Sequence, residues 1–381
     1  MFRTSEVFVL TAFTFAALSI FWAVFCNTQN NLRNLEVHVV DFDSQVAPYN
    51  KVEALVGPVI TNLARRIHSS SLPQSLGYRI VALSEYQYSP WPCAGPSING
   101  TPGRRSSSIR TRHALLHAVL NGDSLYDPTG AVQYIVQYAR QESTTNNYIV
   151  PQLQVLMSQF VTQFGAAWSK MLLTNSSFSS LVMAQASAAV SPGIVPLKID
   201  IRPFEPSTAT PAVTMGLVYL IVVSFFSFSF LLLVHNVATV VLYLFISLAY
   251  SLVCVTFGVP LWQPSGSAPE ATTNATAHGA VSFIIFWQVN FLGMMALGLA
   301  SENAMITNIS TAFYTIELAP AFFRWGRGWP LQHVVQASRQ IIFDLKSEIV
   351  LNFGVLMAWA VINTALFPIC CDFMRWRTRK Q

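Results

Sequence analysis

The fold of this chain is decided by residues Pro206–Pro269, which read PSTATPAVTMGLVYLIVVSFFSFSFLLLVHNVATVVLYLFISLAYSLVCVTFGVPLWQPSGSAP. None of these residues is Asp, Glu, Lys or Arg. An apolar helix of about 20 residues crosses a bilayer, so the stretch has room for two crossings. Met215–Val234 and Val237–Val255 supply them, with His235 and Asn236 between the two runs. The stretch predicts an integral membrane protein, because helices of a soluble protein need a polar face.

The composition of the whole chain agrees with this prediction. Hydrophobic residues make up 52% of the 381 residues and charged residues 10%, whereas soluble domains average about 25% charged. The net charge is +5, but outside the membrane half no long basic stretch is interleaved with aromatic residues. We therefore expect the lipid bilayer as a partner and no nucleic acid, since basic residues beside apolar runs set topology or meet anionic headgroups.

Four further apolar runs complete the predicted membrane topology. They are Val7–Phe25, Ala280–Ala300, the weaker Asn303–Phe323 and Ile349–Cys371. The first is expected to be a retained transmembrane helix, because its apolar core is long and no small-x-small site follows it. A cleaved signal peptide is the alternative.

The charge at the chain ends gives the orientation. The basic residues after the last run place the tail in the cytosol. Arg3 weakly places the N-terminus on the same side. Two chain ends on the same side of the membrane require an even number of crossings, and six meets this requirement. The predicted fold is an α-helical membrane protein with about six transmembrane helices, one N-terminal and five C-terminal, and a large α+β extracytosolic domain between the first and second.

This prediction divides the chain into four parts. They are an N-terminal transmembrane helix at 1–26, an extracellular or luminal α+β domain at 27–210, a five-helix membrane domain at 211–372 and a basic cytosolic tail at 373–381. N-glycosylation sequons on the outer side agree with this orientation, at Asn99, Asn175 and Asn274. A fourth sequon, at Asn308, would be buried in the weak run and unusable.

Hydrophobic periodicity predicts the elements of the outer domain. Strands are expected at Leu35–Val40, Tyr78–Leu83 and Leu197–Ile201. Helices are expected at Gly57–Ile67, His113–Leu120, Pro128–Arg140, Leu153–Met171 and Ser179–Ala189, the third because Pro is favoured at a first helical position. Residues 84–112 are rich in Pro, Gly, Ser and Arg and predict a loop.

Several polar residues of the membrane half are candidates for a transport or gating role. Gln288 and Asn290 lie at membrane depth, where a polar group is costly unless it is paired. Interhelical hydrogen bonding explains them equally well. Arg324, Arg327 and Arg339 near Glu317 could gate a path or meet an anionic substrate, although they oppose the charge bias. Interfacial anchoring by a re-entrant or interfacial helix is the alternative.

Enzymatic and cofactor chemistry find little support in the sequence. Asp41 and Asp43 could do acid–base work, but a turn that caps the next element explains them better. His113 and His117 have metal-binding spacing without an evident third ligand. The 381 residues contain no phosphate-binding G-x-x-x-x-G-K-[ST] loop. We expect no enzyme, no cofactor and no metal site.

Motifs along nearly the whole chain resemble the fungal nitrosoguanidine-resistance family of membrane proteins, of the DUF3533 type. They are VVDFD (Val39–Asp43), VGP (Val56–Pro58), NGDSLYDP (Asn121–Pro128), YAR (Tyr138–Arg140), IVP (Ile149–Pro151), FRWG (Phe323–Gly326) with Pro330, QASR (Gln336–Arg339), Ile342–Phe343, NFGVL (Asn352–Leu356) and Ala358–Trp359. Residues 84–112 depart from the family, which tends to carry a Trp-centred strand there. A divergent loop or a wrongly read exon would explain the departure.

The resemblance implies relatedness to the membrane halves of ABC-2 transporters and to phage-infection proteins, with short outer helices before the last span. It implies a plasma-membrane or endomembrane protein that exports, or confers resistance to, toxic small molecules. With no ATP-binding loop, transport would need another energy source. A scaffold for partner proteins or lipids and a membrane-anchored extracytosolic enzyme are the alternatives. A homo-oligomer stays open.

Overall fold

The structure is a computed structural model. It describes residues 28–43, 54–70, 75–82, 112–175, 179–214, 216–219, 236–262, 278–298, 315–345 and 348–378, with isolated positions at 12, 15, 19, 23, 24 and 222. Most of the first two predicted spans, residues 84–111, and the sequons at Asn99, Asn274 and Asn308 lie outside the described residues.

A βαβ unit opens the polar part of the chain. Strand β1 (Glu36–Val40) pairs in parallel with β2 (Gly77–Val81), and helix α1 (Gly57–Ser69) connects them. Two consecutive parallel strands cannot be joined by a tight turn, because the chain must return to the starting edge of the sheet, and a helix usually makes this crossover. The three predicted elements of this region are confirmed, with ends that differ by one or two residues.

A second parallel pair corrects the sequence prediction. Residues 129–136 form strand β3 (Thr129–Val136) and not the expected helix Pro128–Arg140, and only Tyr138–Arg140 is helical, as a 3-10 turn. Asp127 Oδ1 accepts hydrogen bonds from the backbone N–H and the hydroxyl of Thr129, the first residue of β3. β-branched and aromatic residues suit a strand, and β3 pairs with the predicted closing strand, β4 (Val195–Asp200).

The core of the polar part forms against one long helix. Helix α2 (Arg112–Asn121) and helix α3 (Val150–Thr174) are confirmed, and the predicted helix at Ser179–Ala189 divides into α4 (Ser180–Gln185) and α5 (Ser187–Val190). The buried face of α3 keeps three-and-four spacing and consists mainly of Leu153, Leu156, Phe160, Phe164 and Trp168. Phe164 stacks on Trp168, whose indole N–H donates to the carbonyl of Ala189 at 2.9 Å.

The second half of the chain is a bundle of apolar helices. Its elements are α6 (Ala209–Val213), α7 (Asn236–Thr256), α8 (Ser282–Gly298), the 3-10 helix Ala321–Gly328, α9 (Pro330–Phe343) and α10 (Ile349–Thr378). Helix α8 is central and packs against α7, α9 and α10. The bundle has its own buried apolar cluster, separate from that of the polar part.

Two helical stretches among the described residues are long and apolar enough to cross a membrane. They are Gly279–Leu297 and Ile349–Leu366, and the apolar stretch Val240–Thr256 is shorter. Only 22% of the Ile349–Leu366 stretch is buried within the protein. Its remaining apolar surface is too continuous for water contact and suits lipid. The described architecture is therefore compatible with an α-helical membrane protein, and both the six spans and the extracytosolic position of the polar domain stay predictions.

The weakest predicted span ends differently from the expectation. Residues 315–320 form turns, and a 3-10 helix begins at Ala321. The prediction that an α-helix continues to Phe323 is therefore wrong, whereas 303–314 lie outside the described residues. Pro320 explains the end, because proline lacks the N–H that a continuing helix needs. Two short helices then precede α10, as the resemblance implies.

Candidate functional site

The short helix α9 lies between the apolar bundle and the polar part of the chain. At 14 residues and about 1.5 Å per residue it is about 21 Å long, too short for a hydrocarbon core of about 30 Å. Nearly all of its residues are buried, including Gln332, His333, Ser338, Arg339 and Gln340. A buried helix with so many polar side chains is the feature around which we place the candidate site.

Arg339, one of the predicted gating residues, joins α9 to the polar part. Its Nη1 donates to the carbonyl of Arg140 at 3.0 Å and to the side-chain carbonyl of Gln141. Burial lowers the pKa of Arg339 to about 10, while the charge of Glu142 opposes the shift. The guanidinium thus stays charged at neutral pH and holds the helix from the side of the polar domain.

A second arginine holds the end of α9. The Nη2 of Arg202, just after β4, lies 3.2 Å from the carboxylate of Asp344, and its Nε donates to the Asp344 carbonyl at 3.2 Å. Asp344 has a left-handed backbone (φ 50°) and ends the helix. Phe204 packs on Phe343 beside this pair, with ring centroids 4.9 Å apart. The two arginines therefore fix α9 to the polar domain at two places.

The other predicted charged residues form a separate surface group. Arg327 pairs with Glu317 at 3.5 Å, with side chains that are 62% and 39% exposed. Arg324 is exposed on the same 3-10 helix. An exposed pair of this kind contributes about 0–1 kcal/mol. The structure therefore does not bring Arg324 and Arg327 together with Arg339.

Aromatic side chains share the 3-10 helix of this surface group or lie next to it. Phe322 is 72% and Trp325 40% exposed, and Trp325 contacts Trp329, which stacks on Trp359 of α10 at 5.3 Å. The indole N–H of Trp359 donates to the Gly328 carbonyl at 2.8 Å. We call Phe322, Trp325, Trp329 and Trp359 the aromatic ledge. Rings and guanidinium groups in this arrangement suit the headgroup level of a membrane.

Asn290 is part of a buried polar seam between α7 and α8. Its side chain is fully buried, and Nδ2 donates to the hydroxyl of Ser251 at 3.2 Å. Ser251 donates in turn to the carbonyl of Ser247 at 2.8 Å. Gln288, the other polar candidate of this run, is exposed on another face of α8. Interhelical hydrogen bonding thus accounts for the Nδ2 group of Asn290 but not for its Oδ1 atom. Gln288 and Asn290 do not form one site.

The Oδ1 atom of Asn290 has no hydrogen-bond partner in the described structure. Asn290 borders a cavity of about 10 Å³ whose other walls are apolar, with Leu217, Gly293, Leu331 and Val334 among them. A cavity of about 10–15 Å³ is the least that holds a water molecule. An unpaired acceptor in such a place is uncommon, because buried polar groups are nearly always hydrogen-bonded.

Five more buried polar atoms share this property within the described residues. One is His278 Nε2, just before α8, and the other four lie on α9 and α10: Gln332 Oε1, Ser338 Oγ, Arg339 Nε and Asn352 Nδ2. Next to them, His333 Nδ1 lies 2.8 Å from Asn352 Oδ1, and its Nε2 lies 2.7 Å from the Arg327 carbonyl. Sequence reasoning singled out Arg339 and missed the other members of this group. The signal was present as polar residues in a short helix and Asn352 in the last apolar run.

Comparison with known proteins identifies the family. Residues 6–365 match the family model described as "Protein of unknown function (DUF3533)". The chain belongs to the DUF3533 family. The predicted resemblance is thereby confirmed for nearly the whole chain. No solved structure matches it.

A yeast relative supports the membrane location of this DUF3533 protein. The chain is 24% identical over 281 residues to an uncharacterised endoplasmic reticulum membrane protein of Saccharomyces cerevisiae, over 67% of this chain and 55% of that protein. The chain thus spans about half the length of the curated relative. Together with the apolar helices, the match supports a membrane location.

The carboxylate pair of this DUF3533 chain has a structural role. Asp43 is buried, and its Oδ2 accepts from the backbone N–H groups of Leu55, Val56 and Gly57 at 2.8, 2.8 and 3.2 Å. Val56 and Gly57 are the N-cap and the first residue of α1, and their N–H groups are among the donors that a helix N-terminus leaves unpaired. Asp41 Oδ1 accepts from the Asp43 N–H at 2.9 Å. The geometry favours capping over acid–base chemistry.

The remaining candidates of the polar domain are surface residues. Asn175 is exposed directly after α3, where a glycan has room. His117 is exposed and contacts Asn121 on its own helix. In the part of the chain that the structure describes, no three His, Cys, Asp or Glu side chains group as a metal site would require.

Proposed function

We propose that this DUF3533 protein is a multi-pass membrane protein that exports toxic small molecules or confers resistance to them. The observation that carries the proposal is the row of unpartnered polar atoms buried in the apolar bundle, on α8, α9 and α10. A polar residue inside a membrane domain is costly and marks a functional path by default.

Burying these atoms without hydrogen-bond partners lowers the stability of the bundle. An unsatisfied buried polar group costs about 1–3 kcal/mol, and the bundle contains several. A bundle that served only as an anchor would be more stable with apolar residues at Gln332 and Asn290. A path for molecules with polar groups offsets the cost, because the substrate or its water supplies the missing hydrogen bonds.

Export needs a source of energy, and no sequence motif of this chain indicates one. Since the 381 residues contain no phosphate-binding loop, we propose that export is driven by an ion gradient or by a partner ATPase. The bundle would then supply the path and the polar domain the outer control, through the two arginines that hold α9.

The location that we propose is an endomembrane, in line with the endoplasmic reticulum named for the yeast relative. The polar domain is then luminal, and the exposed Asn175 is glycosylated. Removal of N-glycans should increase the mobility of the wild type in a gel more than that of Asn175→Gln. Cleavage of residues 28–210 by a protease added to the cytosolic side of sealed vesicles would contradict this orientation.

A deletion and complementation experiment tests the function. Cells that lack the gene are scored for sensitivity to, and accumulation of, a panel of toxic small molecules. Gln332→Leu should fail to restore resistance while it reaches the membrane in normal amounts. The matched control is Gln336→Leu, since Gln336 is exposed on the same helix. Unchanged sensitivity and accumulation in the deletion strain would contradict the proposal.

A further inference from the structure

The 3-10 helix Ala321–Gly328 lies where the apolar part of the chain meets the polar part. On its buried face, Phe323 packs against Val24, at the end of the first predicted span. Just before the helix, the carbonyl of Leu318 accepts a hydrogen bond at 2.9 Å from the side chain of Asn31, near the start of the polar part. An apolar run that ends beside the helix and a polar region that begins beside it place the helix at the membrane surface.

The aromatic ledge is continuous with the exposed apolar surface of α10. Trp329, directly after the 3-10 helix, stacks on Trp359 of α10 with ring centroids 5.3 Å apart. Along the same helix, Met357 and Val361 on either side of Trp359 are exposed. Lipid chains that cover this part of α10 therefore also reach the rings of the ledge.

The exposed side of the 3-10 helix carries one positive charge that the described residues do not compensate. Arg327 pairs with Glu317, whereas Arg324 has neither an ion pair nor a hydrogen bond within the described part of the chain. Arg324 is exposed, and the exposed Phe322 and Trp325 flank it along the helix. The planar guanidinium of arginine matches the geometry of a phosphate group. A cation between exposed rings thus suits a phosphate that is attached to apolar chains.

We propose that this surface binds an anionic phospholipid. Arg324 pairs with the lipid phosphate, the ledge contacts the glycerol region, and the acyl chains cover α10 beside Trp359. A lipid with a net negative charge is preferred to a zwitterionic one, because the cationic end of a zwitterionic headgroup meets a surface on which Glu317 is already paired. Lipid binding at this surface does not depend on transport, so either proposal can fail without the other.

The test compares phosphatidylglycerol with phosphatidylcholine, each brominated near the glycerol end of identical acyl chains. Each brominated lipid is a minor component of phosphatidylcholine nanodiscs that hold the full chain. Quenching at the ledge is the part of the tryptophan fluorescence loss that disappears when Trp325→Phe is added to the same protein. Its dependence on the mole fraction of each brominated lipid gives the relative association constant of the two lipids at the ledge.

The wild type should prefer phosphatidylglycerol about 5-fold, which corresponds to about 1 kcal/mol for one basic residue. Arg324→Gln should bind the two lipids equally, and Arg324→Lys should keep most of the preference. Both variants should keep the melting temperature of the wild type, because Arg324 is exposed. Arg65→Gln, at an exposed position of α1, and Arg377→Gln, in the basic tail, are the controls and should leave the preference unchanged.

Three results would overturn the proposal: equal binding of the two lipids by the wild type, a preference that persists in Arg324→Gln, or an equal loss of preference in Arg377→Gln. Absence of ledge quenching by both lipids would also overturn it, and would show that water, a second copy of the chain or another protein covers the ledge. Excess soluble glycerol 3-phosphate should not reduce the preference, because it has no acyl chains. A reduction would assign the surface to a free phosphate compound and would exclude the lipid.

Discussion

Arg202 donates from Nη2 to the carboxylate of Asp344 and from Nε to the Asp344 carbonyl, both at 3.2 Å. Arg202 follows the last strand of the polar domain, and Asp344 ends the short helix α9. One arginine of the polar domain thus makes two hydrogen bonds to one residue of the helical bundle. Bidentate arginine contacts fix orientation as well as distance, so the polar domain determines where α9 lies.

Loss of this contact should loosen the polar domain from the bundle. Because Arg202 is buried and Asp344 is partly exposed, we expect Arg202→Gln to cost about 2 kcal/mol, less than a fully buried pair. The melting temperature of the full chain in detergent should fall, and proteolysis between residues 200 and 210 should accelerate. Lys198→Gln is the matched control, since Lys198 is exposed on β4. Equal behaviour of the two variants would contradict the coupling.

The start of α1 gives a paired glycine test. A Cβ added at Gly57 would overlap the carboxylate of Asp41, so Gly57→Ala should destabilise the protein by about 1–3 kcal/mol. Gly165, within α3, has open space around the same position, and Gly165→Ala should stabilise by about 0.5–1 kcal/mol. Urea unfolding of the full chain measures both. A stabilising effect of Gly57→Ala would show that Asp41 lies elsewhere.

Asp41 also predicts a dependence of stability on pH. Burial raises the pKa of the Asp41 carboxyl above 3.8, and the nearby Asp43 charge adds to the shift, although a backbone hydrogen bond opposes it. The folded state therefore holds this proton more tightly than the unfolded state. The resulting stabilisation is complete below about pH 3.8 and is lost as the pH rises through the raised pKa.

Asp41→Asn removes this loss, because the amide oxygen can still accept from the Asp43 N–H. The melting temperature of Asp41→Asn relative to the wild type should increase from pH 4 to pH 7. A constant difference between the two proteins over that range would contradict the argument.

The aromatic ledge predicts direct contact with lipid. Lipids brominated near the headgroup should quench the fluorescence of Trp325, which is 40% exposed, and leave the buried Trp168 of the polar domain unaffected. Trp325→Phe should therefore lower the quenched fraction of the total emission, whereas Trp168→Phe should raise it. Equal changes in the two variants would show that the ledge faces water or protein.

Local sequence patterns predicted the elements whose periodicity is strong. The apolar spacing of α3 and the flanking strands of α1 were readable because one face of each is buried. The Asp127-Pro128 pair was misleading, because a turn into a strand and the start of a helix use the same residues. Only pairing with β4, which is distant in sequence, decides between them.

The candidate site was partly readable from the sequence. Asn290 stood out as a polar residue in an apolar run, but its orientation depends on Ser247 and Ser251 of another helix. Arg339 was singled out for its charge, and its contact with the Arg140 carbonyl is a tertiary feature. His333 and Asn352 gained meaning only when the fold placed α9 against α10.

Flux through the purified full chain in sealed lipid vesicles tests the central claim most directly. Vesicles with the wild type and with Gln336→Leu should take up a toxic probe from the resistance panel faster than empty vesicles when an ion gradient or the partner ATPase is supplied. Vesicles with Gln332→Leu should not. Uptake equal to that of empty vesicles with every probe and both energy sources would contradict the account.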